Sequence, residues 1–255
     1  MLTTIICTYN MGTGSKNDGS AFLTDCLDSF IATRTMSDLI VVNDGSSDDT
    51  DLLLGKYKIG LCIRFPQNEG LRDAFSAAVH NCRTKYFLRV DADIVFTTPQ
   101  WDALLVKHME LHPECGVCGA TQLCQDGKIW SAGDSFTPRY HHMKDSIIGE
   151  YRICDSVMGC FSCYRAAAWG SAGGLTAPKW IRSETEDLNL RIQKYGAVPG
   201  AMGHYECHCL PMTFEHHHWM AKPKTGKYND MARQKRDIQT YMMEHHGVDF
   251  YGKQI

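Results

Sequence analysis

Within roughly the first hundred residues, short apolar runs alternate with amphipathic stretches, and this rhythm limits the fold more than any other feature of the chain. Leu2 to Cys7 reads as a strand. Leu23, Cys26, Leu27, Phe30 and Ile31 then recur at the spacing that gives a helix one apolar stripe. Leu39 to Val42 is a second strand, followed by a short helix for which Ser47 is a cap. Leu61 to Phe65 is a third, and a helix from about Asn68 carries Leu71, Phe75, Ala78, Val79 and Cys82 on one face. Tyr86 to Val90 is the fourth strand. Strands alternating with helices predict an α/β architecture around a largely parallel sheet.

After residue 97 the rhythm changes, which predicts an antiparallel or mixed extension of the same sheet. Thr98-Pro99 signals a helix start leading through Leu104, Leu105 and His108. Cys115 to Gln122 and Lys128 to Ser131 read as strands joined near the Asp126-Gly127 turn. A strand around Val157 to Tyr164, a helix from Glu186 to Tyr195, a strand near Met212 to His216 and a final helix through Met231, Lys235, Ile238, Tyr241 and Met242 complete the reading. With 255 residues, 44% of them hydrophobic, the chain can bury one core of the larger kind, so a single domain is expected over residues 1–255.

A formal charge of −3 without blocks of like charge argues against a broad grip on nucleic acid or an anionic membrane. No basic-then-apolar leader and no bilayer-length apolar run is visible, so a cytoplasmic protein without an integral membrane segment is expected. Without a secretory signal, the 12 cysteines are expected to be reduced. Two CxxC pairs, Cys115 with Cys118 and Cys160 with Cys163, have the residue types of a four-thiolate zinc site. Their gap is long and both pairs lie in strands, so buried structural thiols are the expectation.

Ligands of open α/β sheets bind beyond the carboxyl ends of the strands. Here those ends are Thr8-Tyr9-Asn10, Asn43-Asp44-Gly45-Ser46-Ser47-Asp48, Gln67-Asn68-Glu69-Gly70 and Asp91-Ala92-Asp93. Residues two apart on an extended chain project to one side, so Asp91 and Asp93 form a paired carboxylate that a hard cation, Mn²⁺ or Mg²⁺, would relieve. Imidazole also ligates Mn²⁺, and His216-His217-His218 offers it; His216 comes straight off a strand, and His218 shares its face if the chain stays extended. Glu184 and Glu186 suit the positive end of a helix, while Asp187 is a candidate general base. His141-His142 and His245-His246 are expected to be solvated pairs.

These segments resemble the inverting glycosyltransferases of family 2, which have the GT-A fold. The resemblance runs through TTIICTYN, VVNDGSSDDT, Asn68-Glu69-Gly70-Leu71, VDAD, Lys128 to Gly133, Gly173-Gly174-Leu175 and TEDLNLR, in that order. It implies a Rossmann-like nucleotide-binding half (1–97), an acceptor half on a mixed sheet (98–227) and a C-terminal helix and tail (228–255). Thr8, Tyr9, Asn10, Asn68, Gly70, Asp91 and Ala92 would line the donor, with Asp44 on its base, expected to be uracil. Asp93 would be the direct metal ligand, joined by His216 or His218, and Asp187 the base. The implied partners are a nucleoside diphosphate sugar and an acceptor that is a glycan, a protein, a small molecule or a modified nucleic acid. The Gln-x-x-Arg-Trp signature of processive members is absent, so one sugar per encounter is expected. A dinucleotide oxidoreductase is disfavoured because Asn17 stands where the third glycine of the fingerprint belongs. The non-enzymatic alternative is a module that binds a nucleotide sugar or metal without turnover.

Overall fold

The computed structural model describes residues 1–13, 19–137, 140–178, 184–200, 203–217 and 231–248. At the centre lies β1 (Leu2–Thr8), a Thr- and Ile-rich run buried on both faces, as a parallel strand covered by helices must be. It pairs in parallel with β2 (Asp38–Asn43) on one side. After α1 (Ser20–Thr33) and α2 (Thr50–Leu54), β3 (Leu61–Arg64) extends that side. After α3 (Leu71–Asn81) the chain crosses back, and β4 (Tyr86–Asp91) pairs on the other flank of β1. The strand order therefore reverses between β1 and β4, and the carboxyl ends of those two strands open the crevice where such sheets bind ligands.

The second half adds β5 (Ile94–Phe96), α4 (Trp101–Leu111), β6 (Cys115–Leu123) and β7 (Ile129–Ser131). A two-stranded ribbon of β8 (Asp134–Ser135) and β9 (His141–His142) follows, then β10 (Arg152–Cys154), β11 (Phe161–Arg165), α5 (Ala166–Ser171), α6 (Glu184–Tyr195), β12 (Glu206–His216) and α7 (Met231–His246). The large sheet runs β10-β12-β6-β11-β4-β1-β2-β3, with β5 on β12 and β7 on β6. It is mixed as expected, because β11 is antiparallel to both of its neighbours.

One face buries Phe30, Phe96, Trp101, Phe161 and Phe214 in ring contact, with Phe161 stacked on Phe214 at 4.8 Å. Trp101 is 1% exposed, and truncation to Ala would cost about 3–5 kcal/mol. The other face packs Phe75, Phe87 and Tyr164 around Trp169. Both clusters lie beneath the rim and fix the strand ends that carry the polar groups.

Several local expectations shift. Ser47 does not cap α2, which begins at Thr50; Asp48 Oδ1 takes the Thr50 amide at 3.0 Å while the Ser47 amide turns to Asn10. Ile31 leaves the α1 stripe and stands 45% exposed. The helix after Pro99 opens at Trp101 because the Thr98 hydroxyl is engaged by the backbone of Thr213 in β12. The strand placed over Val157 to Tyr164 begins at Phe161, after a turn.

Candidate active site

The acidic rim forms where two chain ends meet. Beyond β4 the chain turns at Ala92, and β5 runs antiparallel to the end of β12 with His216 opposite Ile94. That register sets Asp93 Oδ1 3.1 Å from His216 Nε2, and the Asp93 carbonyl accepts the His217 amide at 3.0 Å. Ligand atoms of Asp91, Asp93 and His216 all lie within 4.8 Å of one another. Ala92 is buried beneath them, so its role is to support the turn. His218, the other proposed ligand, lies outside the described residues.

Electrostatics at this cluster favour a cation. Burial pushes Asp91 up and Asp93 adds to the push, against the opposing pull of Arg89. Burial alone would lower His216, but its bond to Asp93 and the two carboxylate charges raise it overall. Gln122, fully buried, reaches His216 Nδ1 at 3.3 Å and fixes the ring plane. For Nε2 to ligate, Nδ1 must carry the proton and the Gln122 amide must present its oxygen, an interchange the side chain permits.

On the nucleotide side, Thr8 is buried and its Oγ1 has no hydrogen-bond partner among the described residues. Such an orphan at the sheet's switch point is unusual and suits a ligand atom. Tyr9 is 42% exposed. Asn10 adopts a left-handed φ of 51°, bonding Ser46 through its amide and Ser47 through Oδ1, so it ties the loops after β1 and β2 together. Asp44, 4% exposed, accepts the amides of Glu69 (2.8 Å) and Gly70 (2.9 Å). Its carboxylate positions the loop before α3, with lone pairs left for a base. Gly70 needs its φ of 92° to begin that helix, and Asn68 is exposed beside it.

Sequence reasoning missed Arg89. Its guanidinium, inside β4 and 5% exposed, bonds Thr185 Oγ1 at 2.7 Å and lies 3.3 Å from Glu184 and 3.9 Å from Asp91. A charged residue within FLRV was the available signal, since a buried guanidinium demands partners. Arg89 binds the acidic rim to the first turn of α6.

Asp187, the candidate general base, is enclosed by partners among the described residues. Asp187 is 0% exposed; Oδ2 accepts Arg191 Nε and Nη2 at 3.0 and 2.7 Å, while Oδ1 contacts the Tyr241 hydroxyl at 3.0 Å and His246 Nε2 at 2.9 Å. Burial would raise its pKa, but the bonds from His246 and Arg191 hold it below the ordinary range. Among the described residues these contacts tie α7 to α6 through Asp187. His246 is therefore not solvated, nor is His142, whose Nδ1 meets buried Asp134 at 2.8 Å. Glu186 behaves oppositely: half-buried, it is pushed up to about 8 by burial and then by the charge of Asp134.

A mixed sheet with its switch point at β1 and β4, and a carboxylate pair with a histidine at the tip of β4, define the GT-A glycosyltransferase architecture. The chain belongs to glycosyl transferase family 2, whose pattern matches residues 3–169. It is 30% identical over 97 residues to an uncharacterized glycosyltransferase of Rickettsia prowazekii, a match covering 38% of this chain and only 28% of that relative. Among solved structures, S. aureus TarS in complex with UDP superposes with a TM-score of 0.60 at 16% identity, covering 96% of this chain and 66% of that one. GalNAc-T7 with UDP, GalNAc and Mn²⁺ gives 0.62 at 12% identity, covering 96% of this chain and 56% of its own. Among the described residues no helix is long and apolar enough to cross a membrane.

Proposed function

We propose that this chain, working as one domain, transfers a single sugar from a nucleoside diphosphate, a UDP-sugar, to an acceptor hydroxyl with inversion. The observation that carries the reading is the convergence of Asp91, Asp93 and His216 within 4.8 Å, on the rim that also holds the orphan hydroxyl of Thr8. Two carboxylates and one imidazole fit Mn²⁺ well and Mg²⁺ acceptably. Bound there, a divalent cation supplies positive charge against the departing diphosphate. Support also comes from TarS, solved with UDP, and GalNAc-T7, solved with UDP and Mn²⁺.

The remaining work falls to side chains of this protein. Thr8, Tyr9 and Asn10 line the nucleotide, and Asp44 shapes the adjoining loop through Glu69 and Gly70 while offering a lone pair to the base. Arg89 holds Asp91 and Glu184 together, so donor and acceptor halves share one charge network. The acceptor proton goes to the first turn of α6. Glu186, half-buried there, is our proposed receiver, and Asp187 takes that role when Tyr241 and His246 withdraw.

The test is nucleotide release with Mn²⁺ and a panel of nucleotide sugars, offered glycan, protein, small-molecule and modified nucleic-acid acceptors. Turnover in the wild type and its loss in Asp93→Ala are expected. Binding of UDP without turnover on any donor and acceptor would instead favour a non-catalytic nucleotide-sugar module.

A further inference from the structure

A second cluster of metal-ligating side chains lies in the core, on the side of the sheet covered by α4. The ligand atoms of His108, Cys115 and His208 fall within 4.8 Å of one another, and all three residues are buried. His108 Nε2 faces His208 Nδ1 at 2.9 Å. Cys118, fully buried and paired with His208 in the register of β6 and β12, is the further thiol beside this trio, outside the mutual distance the three share.

The backbone builds this convergence. In a regular strand, Cys115 and Cys118 would project to opposite faces. The pairing of β6 with β12 slips, however: Glu206 pairs with Cys115 but Cys207 pairs with Val117, leaving Gly116 as the extra residue of a bulge. Gly116 has to be a glycine, since a Cβ there would come within 2.7 Å of Tyr205 Cβ. The bulge turns both cysteines toward the face where His208, paired with Cys118, also points. Arg165 then bonds the carbonyls of Met109, His112 and Cys115, clamping the turn that brings His108 from α4 onto the same spot.

A second set of contacts orients the ligands. His208 Nε2 meets Glu206 Oε2 at 2.9 Å, so its proton sits on Nε2 and the Nδ1 lone pair points inward. A carboxylate behind a ligating imidazole is the usual outer partner of zinc histidines. Tyr151 stacks on the His208 ring at 4.2 Å and closes one side. A surface cavity lined by His108, His112 and Met212 gives a route of entry.

We propose that His108, Cys115 and His208, with Cys118 as fourth ligand, bind a zinc ion that staples α4 to β6 and β12. Two thiolates and two imidazoles make a closed tetrahedral site of the structural kind, with Zn–N near about 2.0 Å and Zn–S near about 2.3 Å. The two imidazole nitrogens, now 2.9 Å apart, would open to about 3.3 Å in such a shell. Binding releases the two thiol protons, and His108 moves its own proton to Nδ1. This ion is distinct from the one assigned to Asp91, Asp93 and His216, which has no thiolate ligand.

The test is metal content of the full chain, purified from zinc-supplemented culture and dialysed against a weak chelator. One zinc per chain is expected in the wild type and in Asp93→Ala, and none in Cys115→Ser. To separate loss of a ligand from loss of the fold in Cys115→Ser, the zinc-stripped wild type is also titrated with Co²⁺. Appearance of thiolate-to-cobalt charge-transfer absorption with tetrahedral visible bands, saturating at one equivalent, supports the site. Absence of zinc in the wild type, together with no such absorption at excess Co²⁺, overturns it. So does a cobalt spectrum of purely octahedral, oxygen-ligated form.

Discussion

Asp187→Asn keeps the shape of the side chain and removes its charge, at a carboxylate that accepts from four groups. The new amide must aim its NH₂ either at Arg191, donor against donor, or at Tyr241 and His246. Screening is weak, since Asp187 and Arg191 side chains are 1% and 12% exposed. Breaking a buried pair costs about 3–5 kcal/mol, and Arg191 keeps the carbonyls of Ala172 and Gly174, so about 2–4 kcal/mol is expected. For a chain of this size, that lowers the melting temperature by on the order of 10 °C. The pH sign follows from the lowered pKa of Asp187. Its stabilisation is fully present above the unfolded carboxyl value of about 3.9 and is lost as pH falls through the lower folded value. The gap between wild type and variant, measured by thermal melts across pH, should be constant near neutrality and close in acid. An unchanged melting temperature at pH 7 would refute the anchoring role. Loss of turnover in folded Asp187→Asn with turnover retained in Glu186→Gln would move the base back to Asp187.

With Glu186 as base, turnover at subsaturating acceptor should rise with pH toward about 8, somewhat lower once a cation is bound, and Glu186→Gln should abolish that limb. Arg89→Met leaves Glu184 and Asp91 without their shared cation; a loss of about 2–3 kcal/mol in denaturant melts and a fall in turnover are expected, both partly restored by Arg89→Lys. His216→Ala should weaken Mn²⁺ binding by about tenfold or more, followed by the electron-spin signal of free Mn²⁺. In the wild type that affinity should fall with acidity, because raised His216 must lose its proton to ligate, while the alanine variant loses this part of the slope.

The parallel half of the fold was legible because period and punctuation agree there. Each buried strand of the β1, β2 and β4 set is a largely apolar run, interrupted by Thr3 and Thr4 in β1 and by Arg89 in β4, and each ends in short polar residues. The Asp91–Asp93 pair could be read for the same reason, since a local spacing of two on an extended chain dictates a shared side. His216 was legible only as a type of ligand. Its meeting with Asp93 depends on β5, a three-residue strand too short to register as a period, which pairs His216 with Ile94.

What escaped the sequence is partnership between residues far apart in the chain. Arg89 and Glu184 are separated by 95 positions, Asp187 and His246 by 59, and His108 and His208 by 100. No local pattern encodes such pairings; each arises from burial that forces a polar group to find a partner across the core. Two local readings show the same dependence on distant elements. A carboxylate in the first turn of a helix looks like a base or a dipole partner, yet Asp187 is buried deeply enough that Arg191, Tyr241 and His246 all turn to it. A cysteine pair three apart in a strand looks unable to act together, yet one extra glycine at position 116 rotates it onto a single face. In both cases a single element, read alone, obeys its own geometry, and the chemistry is decided by what the neighbouring element brings against it.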